Sequence, residues 1–551
     1  MSFFDDASLA FLPSGAAGKD GKAYSIKPTN GTGDFTFSRG SNLAATRVGP
    51  TGLIEKGREN LLVQSNQFDT TWSGAASTLS GQSGYDGTSD AWLITKSGTF
   101  DSRRQVITNS SVGTFSVYAK AGSYNWMLLH IEDAAGDCLA NFDLSTGTLG
   151  TLTNGITSKI EDIGSGWYRC SATFNRNLSD VRIYPSESSG YTGTSGSIYI
   201  QDTQLEIGLA ATDYIESGAS TGKAGLLEDE PRFDYSGGAT CPSLLLEPSR
   251  TNLVTNSEYF GASAWTKQEM TIASNSGIAP DGSLSATKVI PTTASSTHQI
   301  ETGNIISSTQ CAFSVFAKAD GYDRFVILDQ AVASNGATFY LSTETVVTIG
   351  TATATIENYG SGWYRCTIIA NTTGMRIYIP NSSSAISGDG TSGVLLWGAQ
   401  VEAGSYPTSY IPSYGTSTSR SADSLTSATL SLNLGYTAMI EMETLSTSDY
   451  NQIQFRQDTP SIVYALRIGN QVNVGGSTYV ANNTTGQNKF ALAVDTDGTY
   501  ALYKNGTSIS TGSGITANLQ KITTDTSGQR VKQIILFPTR LTNDQLQDLT
   551  K

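Results

Sequence analysis

The feature that most constrains this chain is an eleven-residue stretch that occurs twice. IEDIGSGWYRC begins at Ile160, and IENYGSGWYRC begins at Ile356. Other matched blocks follow the same order in both halves, including FSVYAKAGSY from Phe115 and FSVFAKADGY from Phe313. The repeating unit is about 155 residues long, whereas solenoid repeats have periods of about 20–50 residues. The chain therefore contains a duplicated domain.

Each copy is predicted to be all-β. In FSVYAK, phenylalanine, valine and alanine alternate with serine, tyrosine and lysine, which is the period of a strand with two different faces. The G-S-G of the repeated stretch predicts a turn, and W-Y-R-C starts the next strand. We therefore expect tandem antiparallel β-sandwiches of the jelly-roll type, because each sheet needs a second one to bury its apolar face. Trp167 and Trp363 are interpreted as scaffold.

The remaining segments complete the domain plan. Asp497-Gly498 and Asn505-Gly506 are hairpin signals near the C-terminus, and Thr542 or Asn543 can cap a short closing helix. The N-terminal pieces are extended, polar and too short to fold alone, so we expect them to pack on a neighbour, another subunit or an assembly. The predicted parts are an N-terminal extended attachment segment (1–56), a first sandwich (57–217), a linker (218–248), a second sandwich (249–415) and a third sandwich (420–551).

Composition argues against several classes of partner. The chain has 34 basic and 48 acidic side chains, a net charge of −14, so nucleic acid is not an expected partner. It has no apolar run of about 20 residues, so membrane insertion is not expected. The first residues, MSFFDDASLAFLPSG, lack the pattern of a secretory signal. Five cysteines without a C-x-x-C pair are expected to be reduced, buried thiols.

The sequence does not predict an enzyme. The two histidines, His130 and His298, do not occupy matching positions in the copies, and G-x-S-x-G and H-E-x-x-H are absent. We therefore expect no catalytic residues, no metal site and no cofactor. A glycosidase with two distant carboxylates stays open. Glu206 and Glu402 recur at matching places, but their apolar neighbours favour a scaffold role.

The repeated blocks resemble a module of bacteriophage virion proteins, especially tail-fibre-like and head-fibre-like ones. The resemblance rests on EPSRTNLVTNSEYFGASAW, GSGWYRC and WGAQVEAGSYPTSYI, while DTDGTYALYKNG resembles part of a laminin-G or concanavalin-like sandwich. It implies carbohydrate-binding-module-like jelly rolls in a homotrimeric virion protein, displayed on the particle and assembled in the host cytoplasm. A structural calcium ion in a jelly-roll loop is compatible with the resemblance.

The resemblance leaves three functions open. The first is a fibre that holds other virion proteins through the N-terminal segment and binds a host cell-surface glycan or receptor. The second is an architectural head fibre, collar or decoration protein that binds only virion proteins. The third is a polysaccharide depolymerase, which would release reducing ends.

Candidate binding residues follow from strand alternation, which places aromatic and cationic side chains opposite the apolar face. If the strands are neighbours, these side chains form one patch; the alternative is an inter-strand network in which the cations pair with Glu206 or Glu402. The first copy carries Gln201 where the second has a tryptophan, and an aromatic near a sandwich edge is a rival site. The candidates are Tyr118, Lys120, Arg169, Tyr184, Phe316, Lys318, Arg365, Tyr378, Trp126 and Trp397.

Overall fold

The computed structural model confirms an all-β fold of antiparallel sheets. It describes residues 4–15, 18–19, 21–40, 42–109, 111–330, 335–380, 385–445, 453–469, 471–475, 477–481, 485–524 and 528–551. Among these residues, one α-helix is present, and it is too short to span a membrane.

The N-terminal segment forms short strands. Its Phe-Thr-Phe-Ser strand buries both phenylalanines and exposes the threonine and serine, so the alternation sets its inward face. The strands are β1 (Leu9–Phe11), β2 (Gly18–Lys19), β3 (Lys22–Ala23), β4 (Phe35–Ser38), β5 (Thr46–Val48) and β6 (Ile54–Lys56).

The first sandwich contains a five-stranded sheet in the order β10-β17-β12-β13-β14 and a six-stranded sheet in the order β15-β16-β11-β18-β9-β8, with β7 and β19 paired beside them. Its core lies between the two sheets and includes Phe115, Val117, Ile131 and Cys170. The strands are β7 (Arg58–Asn60), β8 (Ser77–Gln82), β9 (Ala91–Lys96), β10 (Arg103–Asn109), β11 (Val112–Ala121), β12 (Trp126–Glu132), β13 (Cys138–Asp143), β14 (Thr148–Thr153), β15 (Thr157–Gly164), β16 (Trp167–Asn175), β17 (Leu178–Ser186), β18 (Gly196–Ile207) and β19 (Gly222–Ala224).

Besides β19, the linker region supplies two strands and a 3-10 turn at Ser236–Gly238. These strands are β20 (Arg232–Asp234) and β21 (Ser243–Leu246).

The second sandwich repeats the layout of the first, with sheets β23-β26-β33-β28-β29-β30 and β24-β25-β34-β27-β32-β31. Central strands β11, β16 and β18 of the first copy correspond to β27, β32 and β34. Its strands are β22 (Arg250–Asn252), β23 (Thr266–Gln268), β24 (Met270–Gly277), β25 (Ala286–Pro291), β26 (Gln299–Glu301), β27 (Thr309–Asp320), β28 (Arg324–Asp329), β29 (Gly336–Tyr340), β30 (Thr345–Ile349), β31 (Thr353–Asn358), β32 (Tyr364–Thr372), β33 (Met375–Tyr378), β34 (Gly393–Ala403) and β35 (Thr418–Arg420), the last of which pairs with β22.

The C-terminal region forms the third sandwich together with two distant parts of the chain. The last strands are β36 (Ser424–Ser427), β37 (Thr437–Thr444), β38 (Ile453–Gln457), β39 (Val463–Ile468), β40 (Gln471–Val474), β41 (Ser477–Ala481), β42 (Gly486–Val494), β43 (Tyr500–Lys504), β44 (Thr507–Gly512), β45 (Lys521–Thr524) and β46 (Gln529–Phe537), followed by α1 (Asn543–Thr550). One sheet runs β2-β3-β4-β36-β45-β38-β39-β40-β41, and the other runs β20-β21-β46-β37-β42-β43-β44 with β1 also on β46. N-terminal and linker strands therefore complete the C-terminal sandwich.

Local sequence signals account for the turns and the helix. Asn505 and Gly506 both have positive φ, 48° and 78°, as a type I′ hairpin turn requires. Of the two predicted helix caps, Thr542 and Asn543, the cap is Thr542: its hydroxyl accepts from the Gln545 backbone while the Gln545 side chain accepts from the Thr542 backbone. All five cysteines are free, and Cys241 departs from the prediction because it is exposed.

A buried ion cluster joins the three parts of the third sandwich. Arg232 Nη1 lies 2.6 Å from Glu247 Oε2 and also contacts Asp423, while Arg420 Nη1 lies 2.9 Å from Glu247 Oε2 and Arg39 Nη1 lies 3.6 Å from Asp423 Oδ1. Burial would raise the pKa of Glu247, but Arg420 and Arg232 outweigh it and hold that pKa well below its usual value. Removing one partner would therefore leave a buried charge unpaired.

Candidate functional site

The outer face of the six-stranded sheet in the first sandwich is a grid of polar side chains. Across β11 and β16, Tyr118 lies opposite Arg169 and Ser116 lies opposite Ser171. On the other side of β16, Arg169 lies opposite Glu161 of β15. Because side chains alternate along a strand, these groups share the face that points away from the core.

Arg169 is built into the framework of this face. Its side chain donates to the Thr212 carbonyl, and Thr212 is held in turn by Glu206, whose Oε1 accepts from the Thr212 N–H at 2.8 Å. In the second copy Arg365 donates to the Thr408 carbonyl at 2.7 Å, and Glu402 holds Thr408 in the same way. The cations thus contact the loop that each glutamate orders.

Tyr118 and Lys120 are half-buried beside neighbours in the first sandwich. Tyr118 stacks on Tyr85 with ring centroids 3.9 Å apart, and the Tyr85 hydroxyl donates to Asp202 at 2.8 Å. Burial, opposed by that hydrogen bond, raises the pKa of Asp202 to about 6. The Lys120 stem lies beside the G-S-G turn at Gly166. The stack with Tyr85 therefore occupies one face of the Tyr118 ring, and that face cannot stack on a ligand.

The equivalent face of the second sandwich is closed. Phe316 and Trp397 are 1% and 0% exposed and pack with Tyr410 and with Ile54 of the N-terminal segment. Lys318, like Lys120 in the first copy, lies along the G-S-G turn, beside Gly362. Trp397 and Phe316 therefore form a contact between parts of the chain.

The remaining candidates lie elsewhere. Tyr184 and Tyr378 are on β17 and β33, which belong to the opposite sheet of each sandwich, so they do not join Tyr118 or Phe316 in one patch. Both tyrosines are also buried, at 4% and 7% exposure. Trp126, at the start of β12, is partly exposed and lies over Gly150.

A cleft of about 870 Å³ opens beside the β15–β16 edge of the first sandwich. We call it the inter-module cleft, because its walls come from the first sandwich, the N-terminal segment and the second sandwich. Its size is that of pockets that enclose small ligands. The lining includes Arg47, Ile54, Glu55, Lys56, Arg58, Thr157, Lys159, Glu161, Arg169, Ser171, Thr173, Thr212, Asp213, Asn275, Asp281 and Ser283.

The lining combines charged and hydroxyl groups with apolar side chains such as Leu53, Leu209 and Ile278. Lys159 and Glu161 form an ion pair at 2.6 Å, with side chains 48% and 40% exposed. Arg58 is partly exposed, and its guanidinium makes no hydrogen bond or ion pair with another described residue. Aromatic rings are missing from the lining provided by the described residues. The cleft therefore offers hydrogen bonds and charges in place of stacking.

Of the residues that line this cleft, the sequence-based candidates include Arg169 but not Lys159, Glu161 or Arg58. Lys159, Glu161 and Arg58 lie on short polar stretches whose neighbours in space come from distant parts of the chain. One signal was available, because Lys159 is replaced by Thr355 in the second copy. A difference between duplicated domains marks a position that their common framework does not require.

A lysine from the N-terminal segment closes the wall next to the second sandwich. Lys56 Nζ lies 2.9 Å from each of three oxygens, on Glu258, Asp281 and Tyr414. Burial would lower the pKa of Lys56, but Asp281 and Glu258 outweigh it and raise that pKa well above its usual value. Asp281, which belongs to the APDG loop, is thus paired with an ammonium group that it shares with Glu258.

Comparisons with known proteins identify no relative. No protein-family model and no curated protein matches the chain. A similar solved structure is domain 4 of AbnA, a GH43 extracellular arabinanase from Geobacillus stearothermophilus, in complex with arabinotriose, with 12% identity, a TM-score of 0.19 and coverage of 24% of this chain and 73% of that one. Trypanosoma rangeli sialidase in complex with the inhibitor DANA has 9% identity and a TM-score of 0.20, covering 98% of this chain and 93% of that one. Likenesses at these scores carry no functional argument.

Proposed function

We propose that this chain is a non-enzymatic structural protein of a bacteriophage particle, a homotrimeric fibre that attaches to a host surface glycan through the inter-module cleft. The phage assignment rests on the resemblance of the repeated blocks. The binding assignment rests on one observation: the duplicated sheets carry the same framework, but among the described residues the β15–β16 edge of the first copy faces a cleft of about 870 Å³, which the equivalent β31–β32 edge of the second copy does not. The third and second sandwiches close the equivalent region down to about 240 Å³.

The lining suits a hydroxyl-rich ligand with charged substituents. Lys159 and Glu161 lie two residues apart on β15 with exposed side chains, so they present a donor and an acceptor on the same face of the strand. Arg58 adds an uncommitted guanidinium on the facing wall, where it can bind a carboxylate or phosphate substituent in a bidentate manner. Bacterial surface polysaccharides combine such hydroxyls and anionic groups.

A bacterial glycan array with the full chain tests this proposal. We expect saturable binding to a subset of polysaccharides, weakened at least about tenfold by Lys159→Ala or Arg58→Ala, which corresponds to about 1.4 kcal/mol. Thr355→Ala, at the equivalent position of the second sandwich, should bind like the wild type. Equal binding by wild type and both cleft variants would contradict the proposal, as would release of reducing ends from a bound polysaccharide.

The architectural alternative is favoured by a different observation. N-terminal and linker strands are built into the sheets of the third sandwich, so attachment to other virion proteins would use the surface of that sandwich. A head fibre, collar or decoration protein would stay on particles and bind no glycan. Antibody labelling of particles separates the two, because a receptor-binding fibre is labelled at the tail tip and an architectural protein over the head or neck.

A further inference from the structure

The outer face of the five-stranded sheet in the first sandwich holds a cluster of three side chains of kinds that bind metal ions: a histidine, a glutamate and an aspartate. His130 and Glu132 lie two residues apart on β12 and so share that face, and Asp137 follows in the turn to β13. One ligand atom from each lies within 4.8 Å of the other two. The cluster is remote from the inter-module cleft, which borders the other sheet.

The distances from the imidazole nitrogen to the two carboxylates are those expected between ligand atoms of one metal ion. His130 Nε2 lies 3.1 Å from Glu132 Oε2 and 3.2 Å from Asp137 Oδ2. Nitrogen and oxygen ligands about 2.0–2.2 Å from a metal lie about 2.8–3.6 Å from one another at right or tetrahedral angles. The two carboxylate ligand atoms lie at most 4.8 Å apart, so a small rotation of either carboxylate lets all three atoms contact one ion without a rearrangement of the strands.

The imidazole supplies an independent sign of a ligand. The His130 side chain is 5% exposed, and its Nε2 is a buried atom with no well-aligned hydrogen bond to any described residue. Its other nitrogen, Nδ1, lies 2.9 Å from the Tyr191 hydroxyl. A histidine that binds a metal through one nitrogen usually has a hydrogen bond at the other, which fixes the ring and its tautomer.

Neighbouring groups orient the carboxylates and leave a net negative site. Asp137 Oδ1 accepts from the Asp133 N–H at 3.1 Å, which leaves Oδ2 toward the imidazole. Arg182 shares Glu132 Oε2 at 2.7 Å, but Asp180 also pairs with that guanidinium through both of its oxygens. Arg104 Nη1 also lies 3.6 Å from Asp180 Oδ2, so three acids face two arginines and one negative charge remains uncompensated for a divalent cation.

The second sandwich shows that the fold does not need this cluster. His130 lies opposite Arg182 on β17, and the register of β28 and β33 places Leu328 opposite the equivalent Arg376. In that copy Arg376 donates to Glu301 at 2.8 Å and to Gln330 at 2.9 Å. A buried leucine fills the same place, so His130 is a specialisation of the first copy.

We propose that His130, Glu132 and Asp137 bind a divalent transition-metal ion, with Zn²⁺ as the best fit. An imidazole nitrogen with two carboxylates suits zinc and cobalt better than calcium or magnesium, which prefer all-oxygen shells. Three protein ligands leave a position for water or another donor. The ion would fasten the β12–β13 turn to the face that carries Tyr191, independently of the proposed glycan binding.

Titration of the metal-stripped full chain with Zn²⁺ and Co²⁺ tests this inference. A Cys241→Ser background removes the exposed thiol, and calorimetry with Co²⁺ absorption should then show one equivalent bound. His130→Leu, which copies the second sandwich, and Asp137→Asn should each weaken binding at least about 100-fold. His298→Gln, at the only other histidine, should bind like the background.

Two results would overturn the inference. One is Zn²⁺ binding by the background no stronger than by His130→Leu, which would mean that a protonated His130 simply pairs with the two carboxylates. The other is binding of Ca²⁺ in preference to Zn²⁺. Asp137→Asn changes a turn residue with a partly exposed side chain, so circular dichroism should show it folded even if His130→Leu is not.

Discussion

At the residue scale, buried charges of the N-terminal segment act as anchors in other parts of the molecule. Lys56 places one ammonium group between two acids of the second sandwich and lies 5.4 Å from the Trp397 ring centroid. Trp397, which the sequence suggested as a candidate binding residue, is therefore an interior residue. Strand alternation identifies the face of a sheet but not whether another domain covers that face.

Replacing Lys56 should destabilise the second sandwich. In Lys56→Met, Glu258 and Asp281 would remain buried without a counter-charge, at a cost of about 3–5 kcal/mol in the free energy of unfolding. Lys551→Met is the control, because that side chain is 60% exposed and should change stability by under about 0.5 kcal/mol. Urea denaturation followed by tryptophan fluorescence measures both. Equal midpoints would show that the buried ion group contributes nothing.

At the element scale, the sequence predicted which segments of each copy form strands better than it predicted which strands pair with one another. The same pairing occurs in both copies, Tyr118 with Arg169 and Phe316 with Arg365, but four strands lie between the paired strands in the chain, so only the G-S-G hairpin from β15 to β16 follows from local turn residues. The position of β17 in the opposite sheet was not predictable, and neither was the pairing of β4 with β36. Pairings between distant segments leave no local pattern, since any strand edge offers the same backbone groups.

Loss of one N-terminal side chain should loosen the C-terminal sheet. Phe37 on β4 is 1% exposed and lies opposite Leu425 on β36. Phe37→Ala should cost about 3–5 kcal/mol and speed hydrogen exchange in Ser424–Ser427. Phe100→Ala is the control, because Phe100 is 71% exposed. Unchanged exchange in β36 would mean that the N-terminal strand is dispensable to the third sandwich.

At the scale of the whole molecule, the chain folds back on itself so that its N-terminal region, linker and C-terminal region share one sandwich. The buried cluster of Arg39, Arg232, Glu247, Arg420 and Asp423 lies where these parts meet. Because each part supplies a charge that the others neutralise, the third sandwich should unfold as one unit with the N-terminal segment.

Acid should weaken this junction in a defined direction. Glu247 has a lower pKa in the fold than its usual 4.5, so its contribution is complete above that value and is lost as pH falls toward the folded pKa. Urea unfolding between pH 6 and pH 3 should show falling stability of the third sandwich. Glu247→Gln should be less stable at pH 6 and depend less on pH below 4.5. An identical pH slope for variant and wild type would exclude Glu247 as the group responsible.

The most direct test of glycan binding in the inter-module cleft is hydrogen exchange of the full chain with and without an oligosaccharide selected on the array. The account predicts slower exchange in Thr157–Gly164, Trp167–Asn175 and Arg58–Asn60, with Thr353–Asn358 of the second sandwich unchanged. Protection confined to the second or third sandwich, at saturating oligosaccharide, would contradict it.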